Sequence, residues 1–311
     1  MKNLFAFVLA LCLLGGSCAA FADYAAPTLL DRSDVIGLDT HYYLYDADFY
    51  EAADEQPGTV VKIKYETAVY GEKSYKKTML VYLPYGYDEN GTERYPVLYF
   101  FHGRGCDYTT LLGNDYTKNA FDHMISTGIV QPFILVAPTY YYDARHLLYD
   151  TELFVRELRE EIMPLVEGTY RTCAETPDEA GFAASREKRA ISGFSMGSMT
   201  TWALLPEMLD VCETFLPFSG PMQDDAALLA AADKAEAEGL PFHIYMACGG
   251  EEDLAFENCN AFAGLLAADS HFRYGSDRET DNFFYCLSDN PHQDLTSRYY
   301  LYNAFLDGLF A

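Results

Sequence analysis

"AISGFSMGSMTTWAL", residues 190–204, holds one serine between two glycines, and its flanks decide how the chain folds. Ala190 to Ser192 read as a short buried strand, Gly193 to Gly197 as a sharp turn, and the residues beyond as a helix ended by Pro206. A side chain at 193 or 197 would collide with the neighbouring strand or helix in so tight a turn, whose serine backbone is strained. The turn lifts the Ser195 hydroxyl clear of a sheet and sets it near a helix amino terminus, where the local field favours a developing anion. The G-x-S-x-G string alone is weak, because glycine and serine are common in ordinary turns. The strand before it and the helix after it give it weight.

Outward from this point, strands and helices alternate. "TVVKIKYE", "KTMLVYLP", "YPVLYFFHG" and "PFILVAP" read as strands, the last two short and fully buried. "LYDTELFVRELREEIMPLVEG" is helical, with Leu153, Leu158, Ile162 and Leu165 on one face. Then "TFLPFSG", "PFHIYMACG" and "NFFYCLS" each precede a helical stretch. This order predicts an α/β fold, a mostly parallel central sheet with helices on both faces. Ligands of such sheets sit at the carboxyl ends of the strands, which is where Ser195 falls.

Residues 1–22 carry an apolar run from Leu4 to Leu14 and end Ala20-Phe21-Ala22, the pattern of a secretory signal peptide cleaved after Ala22. A lipoprotein anchored at Cys18 is the alternative. Residues 23–58 form an acidic, tyrosine-rich amino-terminal arm, and 59–311 are expected to be one domain. No later stretch has the roughly 20 apolar residues of a membrane span. With 47 acidic against 21 basic side chains, the chain repels nucleic acid and anionic lipid. Cys106, Cys173, Cys212, Cys248, Cys259 and Cys286 follow the signal; their spacings match no zinc pattern and define no pairing.

A serine hydroxyl needs a base, and the base an orienting carboxylate. Of the histidines after Ser195, His243 lies inside a strand and His271 at the wrong end of one. His292, in "SDNPHQDL", follows the last strand and is the candidate base. "MACGGEEDLAF" offers Glu251, Glu252 and Asp253 as the acid. Asp224 and Asp225 read instead as the amino cap of a helix. "HGRGCD", after the strand Val97 to Phe101, is a glycine-rich turn whose amides can face the site. The amides of Arg104 and Met196 are the expected oxyanion hole, each worth on the order of 3 kcal/mol of barrier. His102 reads as a brace. Tyr140, Tyr141 and Tyr142, after "FILVAP", are candidates to line a substrate pocket or simply to pack; Trp202 reads as core.

"YPVLYFFHGRGCD", "TPDEAGFAASREKRAISGFSMGSMTTW", "GGEEDLAFEN" and "HQDLTSRYYLYNAF" resemble the successive blocks of carbohydrate esterase family 1, especially its feruloyl esterases, over about Gln56 to Leu306. The resemblance implies an α/β-hydrolase fold, Ser195 as nucleophile, Asp253 ahead of Glu252 as the acid, and His292 as base. It further implies a secreted esterase without metal or organic cofactor, acting on hydroxycinnamoyl esters of plant cell-wall polysaccharide or its acylated oligosaccharides. Acetyl xylan or another acyl-carbohydrate ester is the alternative substrate, and a non-catalytic glycan-binding relative the alternative class. The chain departs from the pattern at Arg104 and Cys106 in the hole-forming turn, at Pro221-Met222-Gln223, and at Gln293 and Asp294 after the histidine.

Overall fold

The apolar runs between turn residues, with the alternating stretch 59–67, become the strands of one eight-stranded sheet in order β1-β2-β4-β3-β5-β6-β7-β8. The strands are β1 (Thr59–Thr67), β2 (Tyr75–Leu83), β3 (Val97–Phe101), β4 (Ile134–Ala137), β5 (Arg189–Phe194), β6 (Thr214–Phe218), β7 (His243–Gly249) and β8 (Phe283–Ser288). From β4 to β8 all pairings are parallel, while β1 with β2 and β2 with β4 are antiparallel. β1 keeps the half-buried alternation of an edge strand, with Lys62, Lys64 and Glu66 facing outward. The computed structural model describes residues 50–311 except 53–55, 72, 223 and 253–254. The expected signal peptide, the Cys18 alternative and most of the 23–58 arm lie outside the described residues. Within that arm, the carbonyl of Tyr50 accepts from Asn119 Nδ2 at 2.9 Å.

The helices are α1 (Asp115–Ser126), α2 (Thr151–Glu157), α3 (Met163–Thr169), α4 (Glu179–Ala184), α5 (Met196–Met208), α6 (Asp225–Glu238), α7 (Phe256–Ala267) and α8 (Thr296–Leu306). A π-helical turn, Leu158–Ile162, joins α2 to α3. Successive strand residues point to opposite faces, so β3 sends Val97, Tyr99 and Phe101 into one core and Leu98 and Phe100 into the other. The first core is closed by residues of α2, α5, α6 and α7, among them Phe154, Trp202, Leu228 and Phe262; the second by Phe121 of α1 and Tyr300 and Phe305 of α8. Asp224 caps α6 by accepting from the Ala227 amide at 3.0 Å. Pro206 does not end α5 but sits in its last turn, two residues before Met208. Cys173, Cys212, Cys248, Cys259 and Cys286 are free thiols.

The chain reverses direction across the sheet at β3: β4 packs on one side of it and β5 on the other. A crevice opens outside the carboxyl ends of the strands at such a switch point. The turn after β3 and the turn after β5 both border it, and they touch. A Cβ on Gly197 would lie 2.1 Å from the Phe101 carbonyl oxygen, and one on Gly193 2.3 Å from that of Gly197. The expectation that neither position tolerates a side chain holds, and the obstruction is backbone. Gly197→Ala should therefore destabilise the protein by about 1–3 kcal/mol, read as a lower urea midpoint with unchanged m; an unaltered midpoint would mean that the turns can separate.

Candidate active site

Ser195 bridges β5 and α5 with φ +57° and ψ −114°, a left-handed conformation that a side chain adopts only under constraint. Its amide donates to the Phe218 carbonyl at 2.8 Å, which pins the turn to β6. The hydroxyl is left partly exposed above the sheet, beside the first turn of α5.

His292, on the loop between β8 and α8, places Nε2 2.8 Å from Ser195 Oγ and Nδ1 2.7 Å from Glu252 Oε2. A carboxylate only accepts, so Nδ1 carries the ring proton and the bare Nε2 accepts from the serine hydroxyl. The Phe194 ring lies 4.8 Å from the imidazole and covers one face of it. Three chain segments thus converge as the serine–acid–histidine order anticipated, with one correction. The carboxylate on His292 is Glu252, the reserve candidate; Asp253 lies outside the described residues.

The reason is the packing of the turn after β7. Glu252 is 1% exposed, and its Oε1 accepts from Ser219 Oγ at 2.6 Å, the Gly249 amide at 2.8 Å and the Tyr300 hydroxyl at 3.3 Å. With Oε2 given to the imidazole, a buried charge has a donor on every side, the condition under which burial is tolerable. Gly249 permits this: a Cβ there would sit 1.9 Å from the Asn290 carbonyl oxygen. Ser219, itself at φ +55°, and Tyr300 were not foreseen; only the "SG" ending the β6 run hinted at the former.

The turn after β3 lies against the serine: a Cβ on Gly103 would be 3.6 Å from Ser195 Cβ. The Gly103 carbonyl faces inward, accepting from His102 Nδ1 at 2.8 Å and the Tyr140 hydroxyl at 3.1 Å. Across the trans peptide that follows, the Arg104 N–H points the opposite way. The turn closes through the Cys106 amide on the Gly103 carbonyl at 3.3 Å, and the Cys106 thiol donates to Asp294 Oδ2 at 3.0 Å, fastening it to the His292 loop. Met196, the other expected donor, occupies the first position of α5, where an amide has no partner within the helix.

Tyr140 and Tyr141 do not line a pocket. Both are buried, and their hydroxyls brace the turn: that of Tyr140 donates to the His102 and Gly103 carbonyls, that of Tyr141 accepts from the Gly105 amide at 3.0 Å. Tyr142, partly exposed, stacks on Tyr70 at 4.5 Å. Trp202 is core, its indole N–H donating to the Gly220 carbonyl at 2.9 Å.

The sheet order, the crossover at β3 and the serine on its strand-to-helix turn define an α/β-hydrolase. The family model named Esterase matches residues 74–255. The chain belongs to that family, and within it is similar to the feruloyl esterases of carbohydrate esterase family 1. It is 31% identical, with a TM-score of 0.77, to a mutant of the feruloyl esterase module from Clostridium thermocellum complexed with sinapinate, over 86% of this chain and 93% of that one. It is 35% identical over 257 residues to endo-1,4-beta-xylanase Y of Acetivibrio thermocellus, covering 80% of this chain. A ferulic acid esterase of Anaeromyces mucronatus, 21% identical over 86% of this chain and 96% of that one, shares the fold with a TM-score of 0.64. The chain spans about a quarter of the two xylanase-named relatives it matches, 23% of the Acetivibrio protein and 28% of an endo-1,4-beta-xylanase/feruloyl esterase of Xylanibacter ruminicola.

His102 is the brace expected of it, with Nε2 accepting from the Thr139 hydroxyl at 2.7 Å, and burial pushes its pKa from 6.5 down to about 4. The unfolded chain therefore binds a proton between those values that the folded chain refuses. Stability present above pH 6.5 is lost as pH falls to about 4, by about 3 kcal/mol from this residue. His243, pushed down to about 4 mainly by burial, adds in the same direction. The urea midpoint should fall across this window, and less steeply in His102→Asn; equal slopes in the two proteins would show that residue 102 does not titrate there.

Proposed function

We propose that this protein is a secreted serine esterase that hydrolyses feruloyl and related hydroxycinnamoyl esters of plant cell-wall polysaccharide through an acyl-enzyme. Ser195 Oγ attacks the ester carbonyl as His292 Nε2 takes its proton. The imidazolium that forms is held in register by Glu252, whose negative charge also stabilises it. The carbonyl oxygen becomes an anion between the amides of Met196 and Arg104, which need no reorganisation to receive it. When the tetrahedral intermediate collapses, the bond to the sugar oxygen breaks and His292 returns the proton to that oxygen. Water, deprotonated by the same imidazole, then attacks the acyl-serine; the acid leaves and the hydroxyl is restored. The chemistry needs no metal or organic cofactor.

The observation that carries this reading is the unbroken line from Glu252 Oε2 through the imidazole to Ser195 Oγ, with contacts of 2.7 and 2.8 Å. The acyl group is inferred from the relatives, of which one bears sinapinate and another is named for both xylanase and feruloyl esterase activity. Secretion is inferred from the signal pattern of residues 1–22. Among the described residues no helix is long and apolar enough to cross a membrane.

Ferulate release from methyl ferulate and acetate release from acetylated xylan test both the chemistry and the acyl group. Ser195→Ala should abolish ferulate release, Glu252→Gln should lower kcat on the order of 10²-fold or more, and Asp253→Asn should leave it near wild type. Acetate release without ferulate release would overturn the acyl assignment, and a larger loss from Asp253→Asn than from Glu252→Gln would overturn the acid.

A further inference from the structure

Seven large apolar side chains stand exposed among the described residues, and three are consecutive: Leu147, Leu148 and Tyr149, at 41, 44 and 49% exposure. Single exposed leucines are ordinary, but a contiguous ridge of them is not. Leu147 also holds φ +50°, a left-handed backbone that costs a leucine stability. Burial compensates only in part for this strain, since the residue keeps 41% of its surface exposed. Strain and apolar exposure coincide on one short segment, a pairing expected where a loop is shaped for a ligand.

The segment is built to hold that shape. Between β4 and α2 the chain closes on itself, with the Tyr142 amide donating to the Leu148 carbonyl at 3.0 Å and the Leu148 amide to the Asp143 carbonyl at 3.1 Å. His146 Nδ1 lies 2.9 Å from Asp143 Oδ2 inside the loop. At its base Tyr142 stacks on Tyr70, whose hydroxyl donates to buried Glu157 at 2.5 Å, so the loop stands on the fixed end of α2.

The ridge also adjoins the site. The Tyr149 ring lies 6.2 Å from that of Tyr140 and 6.4 Å from that of Tyr141, the two residues whose hydroxyls brace the turn beside Ser195. His292 and Glu252 approach the serine from β8 and β7, whereas the ridge follows β4, on the far side of β3. It is an open surface, suited to an extended ligand that continues past the site and poorly suited to enclosing a small acyl group. A tyrosine ring flanked by leucines offers an apolar face to the C–H face of a sugar ring. A formal charge of −26 disfavours anionic polymers and leaves a neutral one unpenalised.

We propose that Leu147, Leu148 and Tyr149 form a subsite for the neutral polysaccharide backbone that flanks the scissile ester, so that the ridge sets preference for polymer over small esters. This rests on the reading of Ser195 as the nucleophile of a polysaccharide esterase. The test compares Tyr149→Ala, Leu148→Ser and Tyr149→Phe in the full chain, using kcat/KM on methyl ferulate and on feruloylated arabinoxylan, with retardation by unesterified arabinoxylan in native gels as a readout independent of catalysis. Tyr149→Ala and Leu148→Ser should each lose about 5-fold on the polymer, the scale of one ring contact, remain at wild-type level on methyl ferulate, and migrate with less retardation; Tyr149→Phe, which keeps the ring, should retain polymer activity. Equal losses on both substrates, or no loss on the polymer, would overturn the subsite. If the wild type released no ferulate from either substrate, the esterase reading would fail on its own, and the subsite would then stand or fall on whether Tyr149→Ala abolishes the retardation.

Discussion

The site depends on a contact between two stretches of backbone. At the foot of α5, Gly197 sits so close to the carbonyls of Phe101 and His102 that no side chain fits between them. This approach brings the turn after β3, with its inward Gly103 carbonyl and outward Arg104 amide, against the turn that carries Ser195. The unfavourable φ of Ser195 is the local cost, and it is sustained by bonds made elsewhere: the Ser195 amide on Phe218 and the parallel pairing of β5 with β6. A serine in a relaxed loop would have a mobile hydroxyl. Held here, it has one direction, and the α5 amides beneath it have another.

The carboxylate shows the same logic in side chains. Glu252 is buried, and among the described residues hydrogen bonds meet both of its oxygens. Ser219 from the end of β6, the Gly249 amide from β7 and Tyr300 from α8 all donate to one oxygen, which leaves the other aimed at His292. The donors come from three elements, so the orientation of the imidazole reports the packing of the whole β6–β7–β8 edge. Removing one donor would leave the remaining geometry underdetermined, a coupling more severe than the net worth of a single hydrogen bond.

Much of this was legible in the chain. The buried strands β2 to β8 appear as apolar runs bounded by turn residues, because a strand covered on both faces has no polar face to interrupt the pattern, whereas the edge strand β1 shows as an alternation. Ser195 and His292 follow from chain order and from position at strand ends. The acid did not, for a physical reason. "GGEED" presents three carboxylates in a row, and Glu252 turns inward beside a close approach of Gly249 to Asn290, a contact between residues 41 apart in sequence with no local signature. Transferring the family pattern position by position chose the neighbouring residue. The tyrosines after β4 left two readings open, pocket lining or packing, and two of the three pack. Those two point under the turn, and their value lies in their hydroxyls rather than their faces.

That bracing bears on how a chain departing from its family at several points keeps the same geometry. Arg104 and Cys106 stand in the turn proposed to receive the oxyanion, but what that turn would present is a peptide N–H, and a peptide is indifferent to its side chain provided its carbonyl is anchored. Tyr140 and His102 supply the anchor from below, and Cys106 adds a second through Asp294. Substitution on the upper side of the turn is therefore free to vary with the ligand, whereas substitution below would release the peptide to rotate. The chemistry of the site is stored in its buried braces, and its selectivity in the residues those braces leave exposed.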